Sequence, residues 1–307
     1  LSFPDELLKD LKFSGINIRF FAPLFSTYTF YLGRRLHRKV VVADAKVALV
    51  GGINIADKYH GSTTEKPWLD YAVQLNGEIA KPLQQLCRDK YFKKRELKNT
   101  KIKSTFQIQN DTSVRILQND WLKGKNEICD GYIKSIRQAK KEIIIIGSYF
   151  LPGIRIIQAL KKASKNKVTI KLILSGKSDL PMTRRATCFL YDKLLKYNIE
   201  LYEWDQSVLH GKVAVIDENW STIGSFNLNN LSSYGSLEMN VEIRSRSFSS
   251  EFRTHLNGVI SQCQSITKES LKTKTTIMTK FINLFSYVIT RMIELVVTYT
   301  PYKRFYN

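Results

Sequence analysis

The sequence of 307 residues predicts an α/β fold made of two pseudo-symmetric α/β/α repeats and a C-terminal amphipathic helix. Three observations support this prediction: a six-position pattern that occurs twice, short apolar runs that alternate with helical stretches, and a helical apolar period near the C-terminus. The predicted segments are a first repeat at 1–98, a linker at 99–113, a second repeat at 114–260, and a basic linker with a membrane-associated tail at 261–307.

The duplicated pattern is His-x-Lys, four residues, Asp, six residues, and then Gly-(Gly/Ser)-x-Asn. Its first copy comprises His37, Lys39, Asp44, Gly51, Gly52 and Asn54. Its second copy comprises His210, Lys212, Asp217, Gly224, Ser225 and Asn227. Either copy alone is compatible with an ordinary strand and a Gly-Asn turn, but two copies with identical spacing are improbable by chance.

The second repeat shows the α/β order most clearly. Its predicted elements are a strand at 143–146, a helix at 155–164, a strand at 168–174, a helix at 184–196 and a strand at 199–204. The runs at 213–216 and, in the first repeat, at 40–43 are continuously apolar, as in strands buried on both faces. The His and Lys of each motif are separated by one residue, so they point to the same side of such a strand.

The first repeat follows the same plan but starts late. A helix at 5–12 and a strand at 16–21 precede the first motif, like the last helix and strand before the second motif. The strand at 143 lies 67 residues before His210, and the same offset from His37 falls before residue 1. The chain also begins with Leu rather than Met, so we expect a first repeat that is truncated at its N-terminus.

The tail combines a polar, basic stretch at 261–280 with apolar residues at helical spacing over 281–299. Polar interruptions argue against a transmembrane span, which needs about 20 mostly apolar residues. The favoured interpretation is an amphipathic helix in the membrane interface. Docking on the protein body or on another subunit is the alternative.

Charge and cysteine content narrow the possible partners. The formal net charge of +21 favours polyanions, either nucleic acid or an anionic membrane surface. The four cysteines form no C-x-x-C pair, so neither a metal site nor a redox motif is predicted. The N-terminus resembles no signal peptide, which makes a cytoplasm-facing protein the default expectation.

The motif residues suit phosphodiester chemistry, in which cations must neutralise the non-bridging oxygens before a nucleophile can attack. Lys39 and Lys212 would supply the charges, and Asn54 and Asn227 would supply neutral donors. Of the two motif histidines, one would attack the phosphorus and the other would protonate the leaving alkoxide. The motif glycines would allow a tight turn of the backbone before each Asn.

Carboxylates are needed to orient the imidazoles and to fix their tautomers. Asp70 and Glu238 lie beyond the two motifs on strand-like segments, and we predict that they have this role. Asp44 and Asp217 directly follow the apolar runs, so we predict that they stabilise loops.

The two patterns resemble the HKD motifs of the phospholipase D superfamily, and the resemblance covers nearly the whole chain. The segments that resemble bacterial cardiolipin synthases in particular are 34–39, 51–57, 68–70, 149–152 and 209–212. This resemblance implies a phospholipase D-like bilobal fold, one active site between the repeats, no metal requirement and a phosphatidyl-histidine intermediate. It further implies that His37 is the nucleophile and His210 the acid.

The predicted function is that of a phosphatidyltransferase that makes cardiolipin from phosphatidylglycerol and a second phospholipid. Its predicted partners are phospholipid substrates and an anionic membrane, on the cytoplasmic face of a bacterial cell, and no cofactor is predicted. Water as the acceptor would instead make the protein a phospholipase. A superfamily nuclease and a silent membrane scaffold are further alternatives, which the tail and the intact motifs respectively argue against. Oligomeric state and acceptor lipid stay open.

Overall fold

The structure is a computed structural model that describes residues 4–21, 25–26, 29–30, 35–92, 105–109, 111–120 and 124–299. Its α-helices are α1 (Asp5–Phe13), α2 (Ala80–Tyr91), α3 (Glu127–Gln138), α4 (Ile154–Lys165), α5 (Pro181–Phe189), α6 (Tyr191–Lys196), α7 (Asn230–Tyr234), α8 (Arg246–Ile260), α9 (Lys268–Lys274) and α10 (Ile277–Tyr299). A short 3₁₀ helix covers Asp57–Tyr59.

The strands of the first part of the chain are β1 (Phe25–Ser26), β2 (Thr29–Phe30), β3 (Arg35–Leu36), β4 (Lys39–Ala43), β5 (Val47–Gly51), β6 (Ala72–Asn76), β7 (Thr105–Gln109), β8 (Thr112–Asp120) and β9 (Lys125–Asn126). The remaining strands are β10 (Glu142–Gly147), β11 (Thr169–Lys177), β12 (Glu200–Val208), β13 (Lys212–Ile216), β14 (Trp220–Gly224), β15 (Ser236–Arg244) and β16 (Gln264–Ile266).

The main sheet has the order β16-β12-β11-β10-β13-β14-β15-β8-β7, with β3 added beside β15 and β9 beside β8. Strands β10, β11 and β12 are parallel, whereas β10 pairs antiparallel with β13. Helices α3, α4 and α6 contribute to the core on one face, and α8 contributes to the core on the other. The α/β class predicted from the alternating sequence pattern is therefore confirmed.

The second sheet belongs to the first repeat and consists of β4, β5 and β6 in an antiparallel order. Backbone contacts join it to the second repeat. Strand β3 pairs parallel with the start of β15, and Leu69 forms an isolated bridge with Leu209. These contacts bring the start of each motif next to the other repeat.

Strands of the first repeat are less buried than the sequence predicts. Residues 213–216 are fully buried in β13, but β4 is half-exposed and its Val41 is 58 % exposed. Leu49, which pairs with Val41 on β5, is 43 % exposed, so this face of the small sheet lacks a covering layer in the described chain. The prediction of a strand at 16–21 is wrong, since these residues form no ladder with a neighbour among the described residues.

Two other local predictions differ from the structure. Where the sequence predicts a linker at 99–113, residues 105–109 form β7, and β8 starts at Thr112. Residues 99–104 and 110 lie outside the described residues. The single helix predicted at 184–196 consists of two helices, α5 and α6, separated at Leu190.

The C-terminal helix α10 packs against α5 and α7, and its pattern of burial is the reverse of an ordinary surface helix. The stripe that faces the body is largely polar and comprises Ser286, Thr290, Glu294 and Val297. Arg291 donates hydrogen bonds to the carbonyls of Leu151 and Pro152 and to Glu294. The exposed face consists of large apolar residues, namely Ile277, Met278, Phe281, Ile282, Leu284, Phe285, Val288, Met292, Ile293, Leu295 and Val296.

The sequence argued against a membrane span in this region, but the helix at Ile277–Thr298 is long and apolar enough to cross a membrane by length and composition. It starts four residues earlier than predicted, and 28 % of its most apolar window is buried inside the protein. The sequence left docking of this helix on the protein body as an alternative, and α10 does dock there through its polar stripe. In the part of the chain that the structure describes, the apolar face is exposed.

Candidate active site

Each motif forms a β-hairpin, and the two hairpins have the same register. Val40 pairs with Val50 in the first, and Val213 pairs with Ile223 at the corresponding positions of the second. The identical spacing of the motifs in the sequence therefore reflects two copies of one local structure. In both copies the Lys begins the first strand and the first Gly ends the second.

The motif aspartates lie in the hairpin turns. Asp44 and Asp217 both have a φ of 51°, a left-handed conformation that Asp tolerates better than most residues. The carboxylate of Asp217 also accepts hydrogen bonds from the backbone N–H groups of residues 140–142, at 2.8–3.0 Å. These bonds attach the turn to the start of β10 and give Asp217 a structural position away from the imidazoles.

His37 lies between β3 and β4 and is oriented by a carboxylate from the second repeat. Its Nδ1 lies 2.9 Å from Oε2 of Glu238, whose side chain is fully buried on β15. Ser225 Oγ donates to the same carboxylate oxygen at 2.5 Å. With Nδ1 bonded to Glu238, the free ring nitrogen of His37 is Nε2.

His210 has the reciprocal arrangement. Its Nδ1 lies 2.6 Å from Oδ2 of Asp70, which comes from the first repeat and has a side chain that is 1 % exposed. The backbone N–H of His210 donates to the carbonyl of Leu69, so the Leu69–Leu209 bridge holds the acid and the imidazole together. Each repeat thus supplies the carboxylate for the histidine of the other repeat.

The motif glycines are required by close contacts. Gly51, Gly52 and Gly224 do not adopt a positive φ, and the backbone bends at residues 52 and 225, where the sequence predicts a tight turn. A Cβ on Gly52 would lie 2.3 Å from Oδ1 of Asp70, and one on Gly224 would lie 2.3 Å from Oδ1 of Asn240. Only a residue without a side chain leaves room for these neighbours.

The two motif lysines are buried and donate to the backbone of their own motif. Lys39 Nζ donates to the carbonyl of His37 at 2.8 Å, and Lys212 Nζ donates to the carbonyl of His210. Burial lowers the pKa of Lys39 to about 8 and the pKa of Lys212 to about 7, against the attraction of Asp70 and Glu238. Both ammonium groups therefore interact with both carboxylates, which places the residues of both repeats in one site.

His210 is the more enclosed of the two histidines. Its side chain is 7 % exposed, whereas that of His37 is 24 % exposed. Burial lowers the pKa of His210 to about 4, although the hydrogen bond to Asp70 acts in the opposite direction. His210 is accordingly neutral at pH 7 in the ligand-free site.

The two motif asparagines differ in their surroundings. Asn54 is exposed, and its Nδ2 donates to the hydroxyl of Tyr59 at 3.0 Å. Asn227 is buried, and its Oδ1 accepts from Ser148 Oγ at 3.1 Å. In both residues the carboxamide is held by a hydroxyl group.

Aromatic residues around His210 were not predicted to belong to the site. Tyr59 and Trp68 lie 5.7 Å from the imidazole, measured between ring centroids, and Tyr149 lies 5.9 Å from it. Tyr59 and Tyr149 meet His210 with their ring planes nearly perpendicular. Trp68 and Tyr149 fall in segments that resemble cardiolipin synthases, but nothing in the local pattern marks Tyr59.

Comparisons with known proteins agree with this geometry. The sequence profile described as "Cardiolipin synthase, PLD-like domain" matches residues 132–260. Cardiolipin synthase B of Escherichia coli O6:H1 is 35 % identical over 280 residues, which cover 88 % of this chain and 67 % of that protein. This chain belongs to the cardiolipin synthase family.

Members of this family are phosphatidyltransferases of the phospholipase D superfamily, and other comparisons are consistent with the assignment. Minor cardiolipin synthase ClsB of Bacillus subtilis is 30 % identical, over 87 % of this chain and 67 % of that protein. The crystal structure of phosphatidylserine synthase from Haemophilus influenzae has the same fold, with a TM-score of 0.67 and 15 % identity. That match covers 87 % of this chain and 72 % of that chain.

Proposed function

We propose that this cardiolipin synthase family member transfers a phosphatidyl group from phosphatidylglycerol to a hydroxyl of a second phospholipid, through a covalent phosphatidyl-histidine. The observation that carries this proposal is the reciprocal pairing of His37 with Glu238 and of His210 with Asp70. A carboxylate on Nδ1 fixes the tautomer of each ring and directs the lone pair to Nε2. Both imidazoles are thereby prepared for nucleophilic or acid–base work.

In the first step, Nε2 of His37 attacks the phosphorus of the donor. The new P–N bond replaces the P–O bond to the leaving glycerol, and the departing oxygen takes a proton from Nε2 of His210. In the second step, the acceptor hydroxyl gives its proton to His210 and its oxygen attacks the phosphorus. The P–N bond breaks, and His37 is regenerated.

The negative charge of the substrate changes the protonation of the site. An anionic phosphodiester beside His210 raises the pKa of this imidazole, so that it becomes protonated as the donor binds. The same charge favours the ammonium forms of Lys39 and Lys212, whose pKa values near neutrality leave them responsive to it. Asn54 and Asn227 add neutral donors for the non-bridging oxygens.

The enzyme would work from the surface of an anionic membrane, peripheral on the cytoplasmic face of a bacterial cell. The net charge of +21 attracts it to anionic lipid. The apolar face of α10 supplies a surface that lipid tails can cover, while Arg291 on the opposite side bonds to carbonyls of the protein body. Because these bonds hold α10 on the body, we expect α10 to lie along the membrane rather than across it.

The test is a lipid-product assay with the purified chain and vesicles that contain labelled phosphatidylglycerol, with and without phosphatidylethanolamine. We expect cardiolipin, and we expect His37→Ala and His210→Ala to abolish it. A rapid quench in denaturant at mildly alkaline pH, which preserves the acid-labile P–N bond, should trap labelled lipid on His37. Phosphatidic acid alone would indicate a phospholipase, and turnover that survives both substitutions would refute the mechanism.

A further inference from the structure

Tyr59 connects the two motifs. It ends the 3₁₀ helix Asp57–Tyr59 that follows the first motif, and its hydroxyl lies 3.0 Å from Nδ1 of His210 in the second repeat. The same hydroxyl accepts a hydrogen bond from Nδ2 of Asn54 at 3.0 Å. One oxygen atom therefore contacts a carboxamide of one motif and the imidazole of the other.

The hydrogen-bond roles follow from the neighbouring acid. The carboxylate of Asp70 lies 2.6 Å from Nδ1 of His210 and can only accept, so Nδ1 carries the proton. The oxygen of Tyr59 is then a second acceptor for the same N–H group, in addition to the bond from Asn54. Burial raises the pKa of Tyr59 to about 12, which keeps the hydroxyl neutral.

We propose that Tyr59 is a positioning residue of the transfer reaction, because its hydroxyl holds the Asn54 carboxamide and the His210 imidazole in one arrangement around the phosphorus. This inference rests on the proposed function of His210. It assigns a role to the turn after the first motif, which lies outside both six-position patterns. The aromatic ring and the hydroxyl of Tyr59 have separable effects, since the ring packs beside Trp68 at 5.7 Å.

The substitution Tyr59→Phe separates these effects, because it keeps the ring and removes the oxygen. An acceptor at Nδ1 stabilises the imidazolium, so its loss should lower the pKa of His210 further in the ligand-free protein. The other groups around this imidazole, Asp70, Lys212, Lys39 and the ring of Tyr149, are unchanged in the variant. The readout is an NMR titration of the His210 ring.

Tyr149→Phe is the matched control. It also removes a hydroxyl from a ring that packs on His210, but this hydroxyl donates to Asp179 at 2.6 Å rather than to the imidazole. We expect the titration of His210 to stay in place in this variant. A downward shift in Tyr59→Phe alone would identify the hydrogen bond, and not packing, as the cause.

Lipid turnover provides the second readout. We expect Tyr59→Phe to reduce kcat by about 10- to 100-fold, the size expected for one hydrogen bond to a charged group. The double variant with Asn54→Ala should lose little more than Asn54→Ala alone, because both substitutions break the same connection.

An unchanged titration of His210 in Tyr59→Phe would overturn the inference, and so would losses that simply add in the double variant. If the wild type showed no lipid turnover, the proposed function would fail, but the titration would still decide whether Tyr59 bonds to His210.

Discussion

Lys212 lies at the centre of the site and destabilises the fold that holds it. Lys212 is 2 % exposed, and burial lowers the pKa of its ammonium group from 10.5 to about 7. In the unfolded chain the group keeps its ordinary pKa and binds a proton more tightly. At pH 7 this difference disfavours folding by about 4 kcal/mol.

We therefore predict that Lys212→Met is inactive in transfer but more stable than the wild type. Met has a similar length and no charge, so the cost of about 4 kcal/mol disappears. The variant loses the hydrogen bond to the carbonyl of His210, which contributes about 1 kcal/mol. The net gain is about 3 kcal/mol, which corresponds to a rise in Tm of about 5 °C for a chain of this length.

Calorimetry and urea unfolding of the two proteins measure this difference. Lys193→Met on α6 is the control, since Lys193 is exposed and its loss should change stability by less than about 0.5 kcal/mol. The advantage of Lys212→Met should shrink to about 1 kcal/mol at pH 9, because the folded lysine is then neutral and the release of its proton on folding costs less as pH rises. A folded Lys212→Met no more stable than the wild type, or a gain independent of pH, would refute the reasoning.

Three further predictions concern the turn, the imidazole and the tail. Asp217→Ala should lower the free energy of unfolding in urea by about 3 kcal/mol, since it removes three backbone hydrogen bonds, and Asp217→Asn should lose less. The folded pKa of His210 is depressed to about 4, so the free energy of unfolding decreases as pH falls below about 6.5. Between pH 6.5 and 4.5 the free energy of unfolding of the wild type should fall by about 2 kcal/mol more than that of His210→Asn. Phe281→Asp with Phe285→Asp should weaken sedimentation with phosphatidylglycerol vesicles by at least ~100-fold without lowering Tm, whereas Phe13→Asp on α1 should have no effect.

The duplicated motif allowed much of the local structure to be predicted, because each spacing corresponds to one hairpin. Equal spacing between Lys and Gly in the two copies requires equal registers, and the apolar runs indicate the strands. Asp70 and Glu238 could be found because both follow their motifs on strand-like segments. Which histidine each acid serves depends on the pairing of β3 with β15 and of Leu69 with Leu209, contacts between residues far apart in the chain.

Other features depend on packing that a local pattern does not contain. Tyr59 lies in a turn without any periodicity, so only the fold reveals its approach to His210. In α10 the spacing showed correctly which residues share a face, but it did not show which face meets the protein. Arg291 donates to two backbone carbonyls of the body and to Glu294 on its own helix, and these bonds hold the polar side of α10 against the protein, so the apolar residues face outwards.

Because each acid–imidazole pair joins the two repeats, a substitution in one repeat affects the other during evolution. After an ordinary duplication, one copy can decay while the other keeps working. Here a substitution at Asp70 removes the carboxylate partner of the imidazole in the later copy, and one at Glu238 removes that of the imidazole in the earlier copy. Selection that keeps either acid–imidazole pair therefore acts on both copies, because the histidine of each copy uses a carboxylate that comes from the other.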